Sequence, residues 1–158
     1  MDWTSVVNDP TLSNLPFKIE LNEWGKIEMS PASNSHGMLQ TEIAFILKMK
    51  LTSGKAFVEC SIQTSKNVKV ADVVWCSTDF LNRHGKSTPY PASPEIVVEV
   101  ASPSNTLAEL IDKRSLYFEQ GAKEVWICEE TGAMLFYRAD GKLSNSVLCP
   151  SFPQSVEA

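Results

Sequence analysis

Apolar and polar positions fall into blocks of changing period along this chain, and the blocks predict its elements. Residues 17–21 (FKIEL) and 26–29 (KIEM) read as two short strands around a turn at Asn22–Gly25. Residues 30–35, rich in Ser, Asn and Pro, read as a loop. The period then lengthens. Leu39, Ile43, Ile46 and Lys50 recur at helical spacing, Met38, Phe45 and Met49 widen the stripe, and Ser35 is a suitable N-cap, so a helix is expected over 35–50. Val- and Ile-rich runs at 56–63 and 69–76 predict strands, followed by a short helical turn over 77–84 and a Pro-containing loop over 86–93. Residues 95–101 form the strongest strand, almost continuously apolar, as expected of a central strand buried on both faces.

A turn at 102–105, ending in a cap candidate, leads into a helix over 106–120. Its Leu107, Leu110, Ile111, Tyr117 and Phe118 are expected to face the core, and Gly121 sits where a left-handed C-terminal residue belongs. Strands over 124–128, 134–138 and 143–148 close the pattern, the last two joined at Asp140–Gly141. The lead-in 1–14 and the tail from Pro150 are expected to be peripheral, the tail poorly ordered. The order ββ-α-ββ-β-α-βββ is a mixed α/β or α+β layout, with too few helices for a doubly wound fold or a barrel. At 158 residues the chain most simply forms one domain, 1–158.

Composition narrows the setting. No apolar run approaches the roughly 20 residues that span a bilayer, and the first residues lack a basic segment followed by an apolar one, so no membrane association and a cytoplasmic location are expected. Cys60, Cys76, Cys128 and Cys149 are widely spaced with no CxxC pair, which favours reduced, structural thiols over zinc ligation. A net charge of −5 is not that of a strong nucleic-acid binder. Local groups of cations remain, at Lys48, Lys50, Lys55, Lys66 and Lys69 and at Arg83, His84 and Lys86; such runs are most often solvated surface.

Three charges break the apolar pattern. Asp72 interrupts VADVVW, Glu99 interrupts IVVEV, and Lys113 shares a helical stripe with Leu110 and Tyr117. Charges inside apolar segments are costly unless paired or bound to a metal. If the two strands are neighbours, the carboxylates repel, and a divalent cation such as Mg²⁺, which takes hard oxygen ligands and keeps several waters, relieves that repulsion. The Lys113 ammonium, roughly 10 Å along its helix at about 1.5 Å per residue, can reach back toward both acids. The same residues also admit a plainer account: a strand-ending Asx turn at Asp72 and a structural ion pair between Glu99 and Lys113.

Four stretches carry a resemblance that favours the first account: IELNEWGKIEMSPASNSHG (19–37), VADVVWCSTDFL (70–81), PEIVVEVASPS (94–104) and DKRSLYFEQGAKEVWI (112–127). In this order the chain resembles the bacterial family of restriction-endonuclease-like proteins in the PD-(D/E)XK nuclease superfamily. The resemblance implies a restriction-endonuclease-like core, a central mixed sheet flanked by two main helices. It implies metal ligation at Asp72, Glu99 and Val100, with Mg²⁺ as the ion and Mn²⁺ as a substitute. It implies that Lys113 is the catalytic lysine, moved from the usual place two residues after the acid, where Ala101 stands, onto the following helix. The chain departs from the family pattern at Ala71, Val125 and Glu129–Glu130, none of them a metal position, and matches weakly after Tyr137. The function implied is metal-dependent hydrolysis of phosphodiester bonds, with DNA as the partner and a possible homodimer. The alternative is a non-catalytic interaction or dimerisation module that keeps the fold.

Three further residues are candidates. His36, at the start of the first long helix, could contact a phosphate or a metal-bound water, or simply pack or cap. Glu42 lies between Met38 and Ile46 on an apolar stripe, in the helix on which this superfamily often carries a glutamate. Glu20 opens the ELNEWG segment. Tyr117 and Trp126, among apolar neighbours, are expected in the core.

Overall fold

Six strands pair in chain order into one mixed sheet. The computed structural model describes residues 1–158. The sheet contains β3 (Lys55–Thr64), β4 (Asn67–Cys76), β5 (Ile96–Val100), β6 (Glu124–Cys128), β7 (Met134–Arg138) and β8 (Gly141–Leu143). All neighbours are antiparallel except β5 and β6, which run parallel. The parallel pair needs a crossover, and α4 (Leu107–Glu119) supplies it. Two more strands, β1 (Phe17–Leu21) and β2 (Ile27–Pro31), form a separate antiparallel hairpin that lies against β4. Helices α1 (Trp3–Val7), α2 (Asn34–Lys50) and α3 (Thr78–His84) complete the chain. The mixed sheet flanked by α2 and α4 is the architecture expected from the sequence.

The sheet is buried on both faces, and each face has its own apolar cluster. Leu39, Ile43 and Leu47 of α2 pack on Val73, Ile96, Val98, Trp126 and Phe136. On the other face Phe80 and Tyr117 pack on Val74, Val97 and Val125. Residues 96–100 are buried at every position, which is why this strand reads as an unbroken apolar run. Glu99 alternates with Val98 and Val100 and therefore belongs to the face of Tyr117.

Several element boundaries differ from the sequence reading. The cap of α2 is Ser33, whose side chain accepts from the His36 amide, rather than Ser35. Helix α4 opens on a capping box: Thr106 accepts from the Glu109 amide while the Glu109 carboxylate accepts from the Thr106 amide. The core-facing stripe of α4 is narrower than expected. Leu116 and Tyr117 are buried, whereas Leu107 is 76% exposed and Ile111 is 43% exposed.

The expected strand over 143–148 is a correction. Strand β8 ends at Leu143, because Glu124 draws the following segment inward. Its Oε1 accepts from the amides of Val147 (2.7 Å) and Leu148 (2.9 Å), and its Oε2 from Ser146 Oγ (2.7 Å) and Trp126 Nε1 (2.8 Å). Amides turned toward a buried carboxylate cannot also serve a strand ladder. The tail is the second correction. Phe152 and Val156 are buried against Trp126, Phe136 and Met134, with ring centroids of Phe152 and Trp126 4.7 Å apart. Backbone bonds from the Met134 amide to Gln154 and from the Val156 amide to Gly132, both 2.9 Å, hold the tail in place. It covers apolar side chains of β6 and β7 that would otherwise lie open. Phe152→Ala should therefore lower unfolding free energy by about 4 kcal/mol, measured by chemical denaturation; an unchanged midpoint would show that the tail contributes no packing.

Candidate active site

Strands β4 and β5 pair only over Val73–Trp75 and Ile96–Val98. The next residues in that register are Asp72 and Glu99, and there the strands separate. Like charges facing each other across a ladder are destabilising. Asp72 instead turns Oδ2 to the backbone amide of Val100 at 2.7 Å. The ladder on its other side is interrupted too. Opposite Asp72, Glu59 adopts a left-handed backbone (φ 58°) and drops out of the pairing between Val58 and Cys60. The Gln40 amide, from α2, fills the break by donating to the Asp72 carbonyl (2.9 Å) and to Glu59 Oε1 (2.7 Å). Irregular backbone of this kind tends to gather at working sites.

The acids are thus nearly enclosed: Asp72 has 0% exposure and Glu99 3%. Two lysines from different elements neutralise them. Lys113, on α4, donates to Glu20 Oε1 at 2.7 Å and to Glu99 Oε2 at 3.5 Å. Lys18, on β1, donates to Asp72 Oδ1 at 2.9 Å and stands 3.5 Å from Glu99 Oε2 and 4.0 Å from Glu20 Oε1. Lys18 and Glu20 are two apart on β1, so both project to the same side, toward β4. There Glu20 Oε1 also accepts from the Val70 amide at 2.9 Å, on the stretch of β4 that β5 leaves unpaired. Tyr117 donates its hydroxyl to Glu99 Oε1 at 2.6 Å, which leaves Oε2 for the cations. His36 Nε2 lies 3.4 Å from Asp72 Oδ2.

Electrostatics follow from this packing. Burial works to raise the Asp72 pKa, but the Lys18 ammonium and the His36 hydrogen bond hold it below the usual carboxylate range. Burial likewise opposes ionisation of Glu20, and the Lys113 and Lys18 ammoniums outweigh it, so its pKa is lowered. For Glu99 burial prevails and the pKa is raised. Lys18 is penalised by burial, yet the carboxylates of Glu99, Asp72 and Glu20 push its pKa up. Burial and the adjoining Glu99 carboxylate keep the Tyr117 hydroxyl protonated.

Of the sequence candidates, Asp72, Glu99, Lys113, Glu20, His36 and Val100 all line one cleft of about 810 Å³. Glu42, half-buried on α2, does not line it. Lys113 contacts Glu99 and Glu20; the direct partner of Asp72 is Lys18, which the sequence reading missed. Gln40 was missed as well. The signals available were the i, i+2 placement of Lys18 with Glu20, and the i, i+4 placement of Gln40 with His36 on one helix face. Phe17, Trp24 and Met29 line the cleft as exposed apolar side chains, with Trp24 74% exposed at the β1–β2 turn. Lys66 and Lys69 line it too, bonded to Asp112 and to the Leu21 carbonyl.

The residues present suit a hard divalent cation. No set of three His, Cys, Asp or Glu side chains converges as a metal site. Mg²⁺, however, needs only one or two carboxylates and retains waters. The facing oxygens of Asp72 and Glu99 supply that donor chemistry, and a cationic group, the Lys18 ammonium, already lies between them.

Comparison with known proteins agrees with this architecture. The chain superposes on a crystal structure described as "a putative nuclease belonging to DUF820 from Anabaena variabilis ATCC 29413" with a TM-score of 0.66 and 17% identity, over 76% of this chain and 71% of that one. The two chains therefore share this mixed α/β fold. The family described as "Uma2: Putative restriction endonuclease" matches residues 11–156, and the chain belongs to it. The match extends well past Tyr137, where the motif resemblance had faded. No curated protein matches the chain.

The His36 pKa is raised above 6.5, first by its hydrogen bond to Asp72. A group whose folded pKa is raised stabilises fully below its unfolded pKa, and that stability is lost as pH climbs through the folded value. The stability difference between the metal-free protein and His36→Gln should thus be largest below pH 6.5 and shrink as pH rises above it. Thermal melts of both proteins across pH 5.5–8.5, buffered with chelator, measure this; a difference that grows with pH would contradict the assigned contact.

Proposed function

We propose that the chain is a metal-dependent nuclease that hydrolyses phosphodiester bonds of DNA. The observation that carries this reading is the convergence of two buried carboxylates and the Lys113 ammonium in one open cleft. Asp72 and Glu99 would hold the ion, Mg²⁺ or Mn²⁺, beside Val100. When bound, such an ion polarises a phosphoryl oxygen and acidifies a water ligand.

The chain's own groups supply the rest. The Val100 amide fixes the rotamer of Asp72. Tyr117 fixes Glu99 and directs its free oxygen into the cleft. Lys113 is tethered by Glu20, so its ammonium is placed before substrate arrives, where it can orient an attacking water and offset charge growing on a phosphate. His36, at the cleft side of Asp72, can donate to a phosphate oxygen when protonated. Trp24, Phe17 and Lys66 on the rim offer an aromatic and basic approach for a nucleic acid. A homodimer is compatible with this reading, since pairing two such sites is one way to cut both strands of a duplex.

Supercoiled plasmid incubated with the wild-type chain and Mg²⁺ or Mn²⁺ should be nicked, and chelator should stop the reaction. Asp72→Asn and Lys113→Met should each slow cleavage by about 10²–10³-fold, with folding checked by circular dichroism. Undiminished cleavage by both variants would reject these roles.

A further inference from the structure

We infer that Lys18 is a tethered counter-cation that holds the place of the divalent ion and must leave before the ion binds. The inference rests on the proposed metal centre and concerns a residue that neither the family motif nor the charge pattern singled out.

Lys18 reaches the oxygens a metal would need. Its ammonium donates to Asp72 Oδ1 at 2.9 Å and lies 3.5 Å from Glu99 Oε2. Lys113 differs: it contacts Glu99 and Glu20 and not Asp72. Of the two lysines, only Lys18 bridges the pair of proposed ligands.

Charge makes the two cations exclusive. Asp72, Glu99 and Glu20 bring three carboxylates and Lys18 and Lys113 two ammoniums, with His36 beside Asp72 adding positive charge when protonated. Burial at this depth requires that near-balance. A divalent ion added with Lys18 still in place would crowd two cationic centres onto the same two oxygens, at a repulsion that weak local screening makes severe. With Lys18 expelled, the ion replaces one positive charge by two and the acids stay neutralised. The exit is available. The Lys18 side chain retains 14% exposure and lines the open cleft, and its four-carbon stem can swing the ammonium outward while β1 stays seated. The expelled ammonium remains in the cleft, where a polyanionic substrate would meet it.

Removing the competitor should therefore strengthen metal binding. Calorimetric titration of the full-length, metal-free chain with Mn²⁺ and with Mg²⁺ should give an affinity about tenfold higher for Lys18→Met than for wild type, as expected when a site open about one time in ten becomes permanently open. Lys18→Gln should behave alike. A second readout needs no variant. Brief acetylation followed by peptide mass spectrometry should modify Lys18 slowly in metal-free wild type and several-fold faster at saturating Mn²⁺, with exposed Lys48 as the internal standard. Unchanged or weaker metal affinity in the variants, or Lys18 labelling indifferent to bound metal, would overturn this inference alone. Absence of metal binding by wild type and variants together would overturn the metal-centre reading, and this inference with it.

Discussion

Everything in the cleft depends on the cost of burying Asp72 and Glu99 side by side where the pairing of β4 and β5 stops. Neither acid could stay charged there alone, because an unpaired buried carboxylate forfeits several kcal/mol of hydration. The chain meets the cost with ammoniums brought from elements that have little other reason to approach. Lys113 comes from the crossover helix and Lys18 from a hairpin outside the main sheet. The hairpin is seated by these ions, by Glu20 on the Val70 amide and by Lys69 on the Leu21 carbonyl. Electrostatic pairing therefore positions structure here as well as neutralising charge.

The sheet supplies the stiffness that makes such placement useful. Apolar clusters on both faces clamp β4 and β5 up to the residue before each acid, so the carboxylates project from a rigid edge. Several departures from regularity gather beside the acids: the left-handed Glu59, the interrupted ladder at Asp72, the Gln40 amide standing in for a strand partner. Away from the cleft, Glu124 is a buried acid satisfied by neutral donors alone: it collects four of them and fixes the segment after β8.

How much of this was legible in the sequence depends on the kind of signal each residue leaves. Asp72 and Glu99 stood out because each interrupts a run of β-branched residues, and Lys113 because it falls on an apolar helical stripe. Those are contrasts between a residue and its own neighbours. Lys18 leaves no such contrast. In FKIEL a lysine alternating with apolar residues reads as the wet face of a short strand, and only the packing of the hairpin on β4 reveals that this face meets Asp72. Gln40 is a neutral polar residue on a long helix, and its partner is a carbonyl, which has no sequence signature. Phe152 and Val156 sit among Pro and Ser without a period, so their burial follows from where the chain returns and not from its pattern. Leu107 and Ile111 err in the opposite direction: the helical spacing is real, but their part of α4 faces solvent.

The charged cluster is also assembled without any lysine at position 101, where Ala101 stands. Residue 101 lies two beyond Glu99, so a side chain there would project to the same side, and its amide is already engaged by the Cys128 carbonyl at 2.8 Å. An ammonium at that point would be a third lysine beside three carboxylates that Lys18 and Lys113 already pair. With Ala101 in place, the ammonium that reaches Glu99 from the following helix is that of Lys113, at 3.5 Å. What the buried acids need is an ammonium at a place, and the backbone that delivers it is free to change.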